Sequence, residues 1–434
     1  MPDRRVLTAL IVLAISARVA AIFVLGGHQV RHATYEHGEI AENLLAGRGF
    51  SVMFLGADGP TSQQAPLYPV AVAGAYALGG AGTPRALLIL ELAQAVLGGV
   101  LVLAVAMLAA EVAPGRPIVA YLGGLIVAVH PTLVYAATHI QVASMAAALV
   151  AGCLAWGYRL GRTGRTGDAI AAGTWLAILA LTDPILGLVA FGMAWAAVRG
   201  LGWRGSIRPL AVLCLTCAIG VAPWVVRNAL VHGEFVPVKS SFGYAFWQGN
   251  CALSEGTDKV VRASVEPILE GAGGSLRDQN RALWRARHEA GYLDDIALTR
   301  DDYRTMAAMT EPARSRYLFR KALDDLRADP TRYPRLCLRR LRYFILFDET
   351  NPKTRNRLYR VSHLGLTALA VLGVVLAPRD LRRRLGPTFL AAGLITAFHA
   401  LTIVSARFHL PIEPVMAVWA ASGAARWSQP RVPT

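Results

Sequence analysis

Two glutamates three residues apart, Glu36 and Glu39 in Tyr35-Glu36-His37-Gly38-Glu39-Ile40, follow closely on the first long apolar run of the chain. In a helix, residues at that spacing share a face. Carboxylates beside a bilayer are costly unless they are solvated, paired or used. Held near lipid, a carboxylate moves towards the protonation range that a general base needs. The chemistry suggested is removal of a proton from an acceptor at the membrane surface. An interfacial helix whose acids simply face water is the competing reading, and residue types alone leave both open. Gly47 and Gly49 supply the stop that glycines often provide after a helix.

Other chemically capable groups recur where apolar runs end. Arg227 closes one in Pro223-Trp224-Val225-Val226-Arg227-Asn228 and leads to Lys239, the Ser240-Ser241 pair and Asn250. Arg407 and His409 stand together in Arg407-Phe408-His409-Leu410-Pro411. Basic heads at helix ends either snorkel to lipid phosphate or hold an anionic ligand. Lys239 and Asn250 suit phosphate or sugar hydroxyls, or merely open a turn-rich domain. Tyr68, in Pro66-Leu67-Tyr68-Pro69, has the apolar ring and polar tip of an interfacial residue. Asp183, in Leu181-Thr182-Asp183-Pro184, is either a second active-site acid or the cap of the next helix.

Metal signals are weak. The histidines are scattered, with no HExxH and no paired CxxC. His37, preceded by His28 and His32, leaves a divalent metal beside the first loop open, although no cofactor is required. Walker A and dinucleotide fingerprints are absent. A lipid-carried activated substrate therefore fits better than a soluble nucleotide.

The elements that must position these residues are mostly membrane helices. The chain has 434 residues, 54% of them hydrophobic and only 17% charged, and its mean hydropathy is +0.42. Repeated apolar runs of roughly 15 to 25 residues make it a polytopic all-α membrane protein. The net charge of +16 does not point to nucleic acid, because the basic residues gather in short loops as orientation signals do. Spans are expected at 6–26, 85–111, 117–131, 141–159, 169–182, 184–199, 209–227, 359–377, 387–404 and 408–425. The first resembles a signal peptide without a convincing cleavage site and reads as an uncleaved span. The run 66–80 is short and begins at prolines, which suits an interfacial or re-entrant helix.

Ten spans put the basic clusters at Arg4 and Arg5, Arg116, Arg159 to Arg165, Arg199 to Arg208, Arg379 to Arg384, and Arg426 with Arg431 on the cytoplasmic side, with both termini. The first loop (27–84), a polar segment (228–358) and the connection 405–411 then lie outside. Three parts follow: a membrane module over 1–227, a small mixed periplasmic domain over 228–358 and C-terminal spans over 359–434. Cys251 and Cys337 share the outer segment, where an oxidising compartment permits a disulfide. Cys214 and Cys217 form a CxxC inside a span, a weak redox signal.

Taken together, the segments Tyr35–Phe50, Pro66–Pro69, Pro223–Asn250 and Arg407–Pro414 resemble, in order, those of polyprenyl-phosphate-dependent glycosyltransferases of the GT-C superfamily. More narrowly, the chain is similar to glycosyltransferase family 39, with the protein O-mannosyltransferases and lipid A aminoarabinose transferases. The resemblance implies a GT-C fold in a bacterial inner membrane. It implies inverting transfer of a sugar from a polyprenyl phosphate to a hydroxyl of a protein, glycolipid or polysaccharide on the periplasmic side. The family's base is an acid of the first outer loop, usually Asp. Here no Asp occurs between Asp3 and Asp58, and Glu36 stands at about the matching position with Glu39 behind it. Arg227, Arg407 and His409 fall where the family places basic groups near the lipid phosphate. Gln141, after His130-Pro131, stands where relatives often carry an acid. A transporter or flippase is the alternative from another class, and a non-catalytic assembly factor is a third reading.

Overall fold

A computed structural model describes residues 3–30, 34–272 and 274–427; His32 and Arg431 lie outside the described residues. Helices α1 (Arg4–Leu25), α2 (Gly27–Val30), α3 (Tyr35–Leu45), α4 (Leu67–Gly79) and α5 (Pro84–Val112) form the first part. Asp3 starts α1 by accepting the Arg5 N–H at 2.7 Å, and the Thr83 side chain with Pro84 starts α5. Helices α6 (Pro117–Val129), α7 (Pro131–Ala136), α8 (Ala143–Thr163), α9 (Thr166–Ala180) and α10 (Val189–His232) follow. The α10 helix is two rods joined at Gly202, whose φ of 73° is open to glycine and strained for other residues. The sequence break between 199 and 209 falls on this kink.

Each expected span contains a helix. Among the described residues, five stretches are long and apolar enough to cross a membrane: Arg4–Gln29, Pro84–Val112, Ala143–Thr163, Pro184–His232 and Arg357–Leu376. Shorter apolar helices include Leu67–Gly79, Pro117–Val129, Thr166–Ala180 and Gly386–Leu401. Alanine-rich faces of α5 and α8 meet in the main apolar core with Val105, Leu108, Leu154 and Val418. Outward faces stay apolar and exposed, as at Leu215, Ile219, Val371 and Val375, which is the pattern of a lipid-facing surface.

A buried arginine organises the centre of this bundle. Pro131 lacks the N–H that would continue α6, and His130 before it takes an extended conformation (φ −61°, ψ 120°). The last carbonyls of α6 are thus orphaned. Arg18, 2% exposed, donates to the Val127 and Ala128 carbonyls at 3.1 and 3.0 Å and to Ala14 of its own helix. It fits because residue 98 is glycine: a Cβ there would lie 2.3 Å from Arg18 Nε.

The polar segment 228–358 is helical, and its only strand-like contacts among the described residues are isolated bridges. It comprises α11 (Phe242–Asn250), α12 (Val265–Glu270), α13 (Leu276–Glu289), α14 (Leu293–Ala297), α15 (Arg300–Ala307), α16 (Glu311–Ala328) and α17 (Arg332–Ile345). The expected mixed domain is thus corrected to a helical one. Its charged residues sit on amphipathic helices such as α17, which buries Leu336, Arg340, Tyr343 and Phe344 on one face. The first loop inserts Phe50, Val52, Phe54 and Leu55 into its core beside Trp247, Met306 and Leu318. Cys251 and Cys337 are both free thiols. Helices α18 (Arg357–Leu376), α19 (Arg379–Arg384), α20 (Gly386–Leu401) and α21 (Glu413–Ser422) complete the chain.

Candidate active site

Helix α3 begins under strain. Tyr35 has φ of 51°, a region uncommon for a residue with a side chain. Helix α13 holds it there. The Arg287 guanidinium lies 5.1 Å from the Tyr35 ring centroid, and Trp284 meets the same ring edge-on at 6.0 Å. Glu36 follows directly, half-buried, and has no hydrogen-bond or ion-pair partner among the described residues. Glu39, one turn on, is committed: its Oε1 accepts the Met53 N–H at 2.7 Å, tying α3 to the return of the first loop. The two acids, between which the sequence set Glu36 ahead of Glu39, therefore differ in their occupation.

Lys239 stands within electrostatic reach of Glu36. Burial lowers its pKa, the charges of Asp183 and Glu36 oppose that shift, and Arg407 adds to it. Its Nζ donates to Gln64 Oε1 at 3.3 Å. His37, beside Glu36, packs edge-on against Tyr68 at 4.9 Å. Burial, with Lys239 and Arg407 nearby, pushes its pKa down to about 3, so it stays neutral. Asp183 caps the turn that follows it by accepting the Ile185 N–H at 3.3 Å. Its charge also reaches Lys239, so the cap and a place near the site coexist.

A small cavity opens beside these groups, lined among others by Thr132, Tyr135, Gln141, Arg287, Lys353 and Arg407. Its walls come from α7, the turn after it, α13, the short turn Pro352–Arg355 and the connection 402–412. Arg287 is 9% exposed. The Arg407 side chain makes no hydrogen bond or ion pair with another described residue. Lys353 Nζ meets His139 Nε2 at 3.1 Å. Behind them Lys259, 1% exposed, points its Nζ at the Tyr292 ring, 3.0 Å from the centroid. Burial brings its pKa down to about 8; Asp258 raises it, and Arg287 and Arg407 lower it further. Several cations thus converge on one hollow at a cost in mutual repulsion. An anion placed there relieves that cost.

The other residues singled out from sequence lie elsewhere. Arg227 donates to the Thr61 and Phe50 carbonyls at 2.5 and 2.9 Å and stacks on Trp224, clamping the first loop to α10. Tyr68 is buried and donates its hydroxyl to Gln94 Oε1 at 2.9 Å. Asn250 is fully buried, donating to the Phe246 and Thr402 carbonyls and accepting from Arg340. His409 turns away from the cavity. Its Nε2 lies 2.6 Å from the Tyr359 hydroxyl, and its Nδ1 lies 3.2 Å from Glu413. His363, His409 and Glu413 present ligand atoms within 4.8 Å of one another, all buried. Sequence reading missed Tyr35, Arg287, Lys259 and Lys353. One signal for the lysines was available. Of 44 basic residues other than histidine only four are lysine, and three of those, Lys239, Lys259 and Lys353, surround this site.

No family model matches the chain, and no curated protein matches it in sequence. Its fold, however, is similar to solved structures. The archaeal oligosaccharyltransferase AglB from Archaeoglobus fulgidus, in complex with an inhibitory peptide and a dolichol-phosphate, superposes with a TM-score of 0.58 at 14% identity, over 97% of this chain and 50% of that one. An Archaeoglobus fulgidus oligosaccharyltransferase tethered to an acceptor peptide containing the NVT sequon gives 0.55 at 13% identity, over 97% and 49%. The chain thus spans about half the length of these oligosaccharyltransferase structures. ArnT from Cupriavidus metallidurans bound to undecaprenyl phosphate gives a TM-score of 0.44 at 15% identity, over 96% and 79%. The likeness is one of fold, shared with the oligosaccharyltransferase AglB over nearly the whole of this chain.

Proposed function

We propose that the protein is a membrane glycosyltransferase that moves a sugar from a polyprenyl-phosphate donor to an acceptor hydroxyl on the outer face, with inversion. Ten crossings, with both termini cytoplasmic in a bacterial inner membrane, place the cavity on the periplasmic side. The parts are a membrane module (1–227), an outer domain (228–358) and C-terminal spans (359–434). The observation that carries this reading is the cavity where Arg287, Lys353 and Arg407 converge close to the uncommitted Glu36. Such a hollow suits a phosphate monoester, and the fold is shared with a protein solved with dolichol-phosphate.

The donor phosphate sits against Arg407, Arg287 and Lys353. Glu36 takes the acceptor proton as its oxygen attacks the anomeric carbon from the side opposite the phosphate. The C–O bond to the phosphate breaks, and the lipid phosphate departs with the bonding electrons. Negative charge grows on that phosphate, and fixed cations there stabilise the transition state. Lys239 and Asp183 set the field around Glu36, while Glu39 holds the loop that carries it. The assignment is tested by mass spectrometry of glycans and glycolipids from a deletion strain. One sugar modification disappears and one polyprenyl-phosphate sugar accumulates. Uptake of that lipid by vesicles carrying the protein, with no transfer, makes it a transporter instead.

A further inference from the structure

Beneath the cavity floor lies a second cluster that this mechanism does not use. Glu413, at 0% exposure, opens α21, and three imidazoles surround it: His130, His363 and His409. His363 Nδ1 and His409 Nδ1 each lie 3.2 Å from Glu413 Oε1, and His130 Nε2 lies 3.7 Å from Oε2. The outer nitrogens fix the tautomers. His363 Nε2 meets the Ile345 carbonyl at 3.0 Å, so it must carry a proton and donate. The Tyr359 hydroxyl donates to the Ala406 carbonyl, so His409 Nε2 donates to Tyr359. In the neutral rings, both Nδ1 atoms then aim lone pairs at a carboxylate oxygen. His130 Nε2 and His409 Nδ1 have no hydrogen-bond partner although both are buried.

Lone pairs facing a carboxylate in a dry interior repel unless something positive lies between them. Two extra protons are a poor answer. The His363 and His409 rings are 4.1 Å apart, and two imidazoliums would share one carboxylate. One divalent cation satisfies His363, His409 and Glu413, whose ligand atoms all lie within 4.8 Å of one another. A tetrahedral ion with ligand bonds of about 2.0–2.1 Å needs ligand atoms roughly 3.3 Å apart. The two separations of 3.2 Å to Glu413 Oε1 match that edge, while His130 faces the other carboxylate oxygen at 3.7 Å. Two imidazole nitrogens and one carboxylate oxygen select zinc over magnesium or calcium, which take oxygen shells.

We infer that His363, His409 and Glu413 bind one Zn²⁺ that joins α18 to the start of α21 below the cavity, with His130 beside the site. Its outer shell is in place: Ile345 O behind His363, Tyr359 behind His409, and the Thr132 hydroxyl donating to Glu413 Oε2 at 2.6 Å. Thr132 and Tyr359 also line the cavity, so the ion would brace its floor without touching the reacting atoms. The inference is independent of the transferase assignment.

The test uses the full chain with a Strep tag, purified in detergent without chelator. Plasma mass spectrometry should find about one zinc per chain. After chelation, titration with Co²⁺ should give the visible ligand-field bands of a tetrahedral site, saturating at about one equivalent and displaced by Zn²⁺ but not Mg²⁺. The double variant His363→Ala, Glu413→Gln should lose metal at least about tenfold, while exposed His288→Ala keeps it. Folded wild-type protein with under about 0.1 zinc per chain and no Co²⁺ spectrum overturns the site. So does a well-folded double variant with full metal content.

Discussion

Glu36 and Glu39 offer a sharp contrast, because the structure gives them different work. Changing Glu36 to Gln keeps size and hydrogen bonding but removes the basic site. Positioned general bases contribute roughly 10²–10⁴-fold, or about 3 to 5 kcal/mol of barrier. Glu36 donates nothing to the fold that Gln cannot replace, since it has no partner among the described residues. The melting temperature of Glu36→Gln should therefore stay at the wild-type value. Glu39→Gln keeps an acceptor for the Met53 N–H now bonded at 2.7 Å. It forfeits only the charge assistance, about 1 kcal/mol of loop stability, so transfer should fall by less than about fivefold.

The assay is complementation of the deletion strain, with product per milligram of expressed protein read by mass spectrometry. Binding of undecaprenyl phosphate to the purified variants controls for donor affinity. The expected pattern is loss of turnover in Glu36→Gln with binding retained, and near-normal turnover in Glu39→Gln. Should Glu36→Gln stay within tenfold of wild type, or Glu39→Gln lose as much, the base assignment is wrong. Asp183, which shares the field at Lys239, would then be the next acid to change.

Three further outcomes follow from the same geometry. Arg18→Leu removes the donors to Val127 and Ala128; at about 1–3 kcal/mol for each orphaned buried carbonyl, it should lower the melting temperature markedly, and an unchanged melt by scanning fluorimetry refutes the clamp. Arg407→Ala should weaken undecaprenyl phosphate binding about 10- to 100-fold by loss of charged hydrogen bonds, measured by native mass spectrometry, whereas Arg227→Ala should loosen the first loop with a smaller effect on affinity. The folded-state pKa of Lys259 is lowered from 10.5 to about 8, so above pH 8 the unfolded chain binds the extra proton and stability should rise as pH goes from 8 towards 10.5. Lys259→Met should remove that slope and raise the melting temperature at pH 7, with an effect of roughly 3 kcal/mol; a slope that persists in the variant assigns it elsewhere.

How much of this the sequence could reveal depended on the range of the interaction involved. Membrane helices are legible because a desolvated backbone must satisfy itself within each apolar run. Their breaks are local too, at Pro131 and Gly202. The difference between Glu36 and Glu39 is not local. It rests on the Met53 N–H fourteen residues away, delivered by a loop whose apolar residues enter the outer core. Arg227 shows the same limit. At a helix end it looks like a ligand for phosphate, yet loop carbonyls at Phe50 and Thr61 use up its donors.

The buried histidine cluster carries the point furthest. Motif searches find metal ligands when both members of a pair sit on one helical turn. Here one such pair existed, His409 and Glu413 at i and i+4, yet His409 reads as a phosphate ligand when its neighbour is Arg407. The remaining ligand is His363, a third of the way along α18, and His130, which ends α6 because a proline follows, stands beside the cluster. Neither has a local signature. The helix break at Pro131 brings His130 towards Glu413, and the same break creates the orphan carbonyls that Arg18 must cover. Loss of the Arg18 clamp should therefore reach the cluster as well. If Arg18→Leu protein holds its zinc while it melts earlier, the cluster is fastened by α18 and α21 alone; if zinc falls with stability, the break at Pro131 is the joint that couples them.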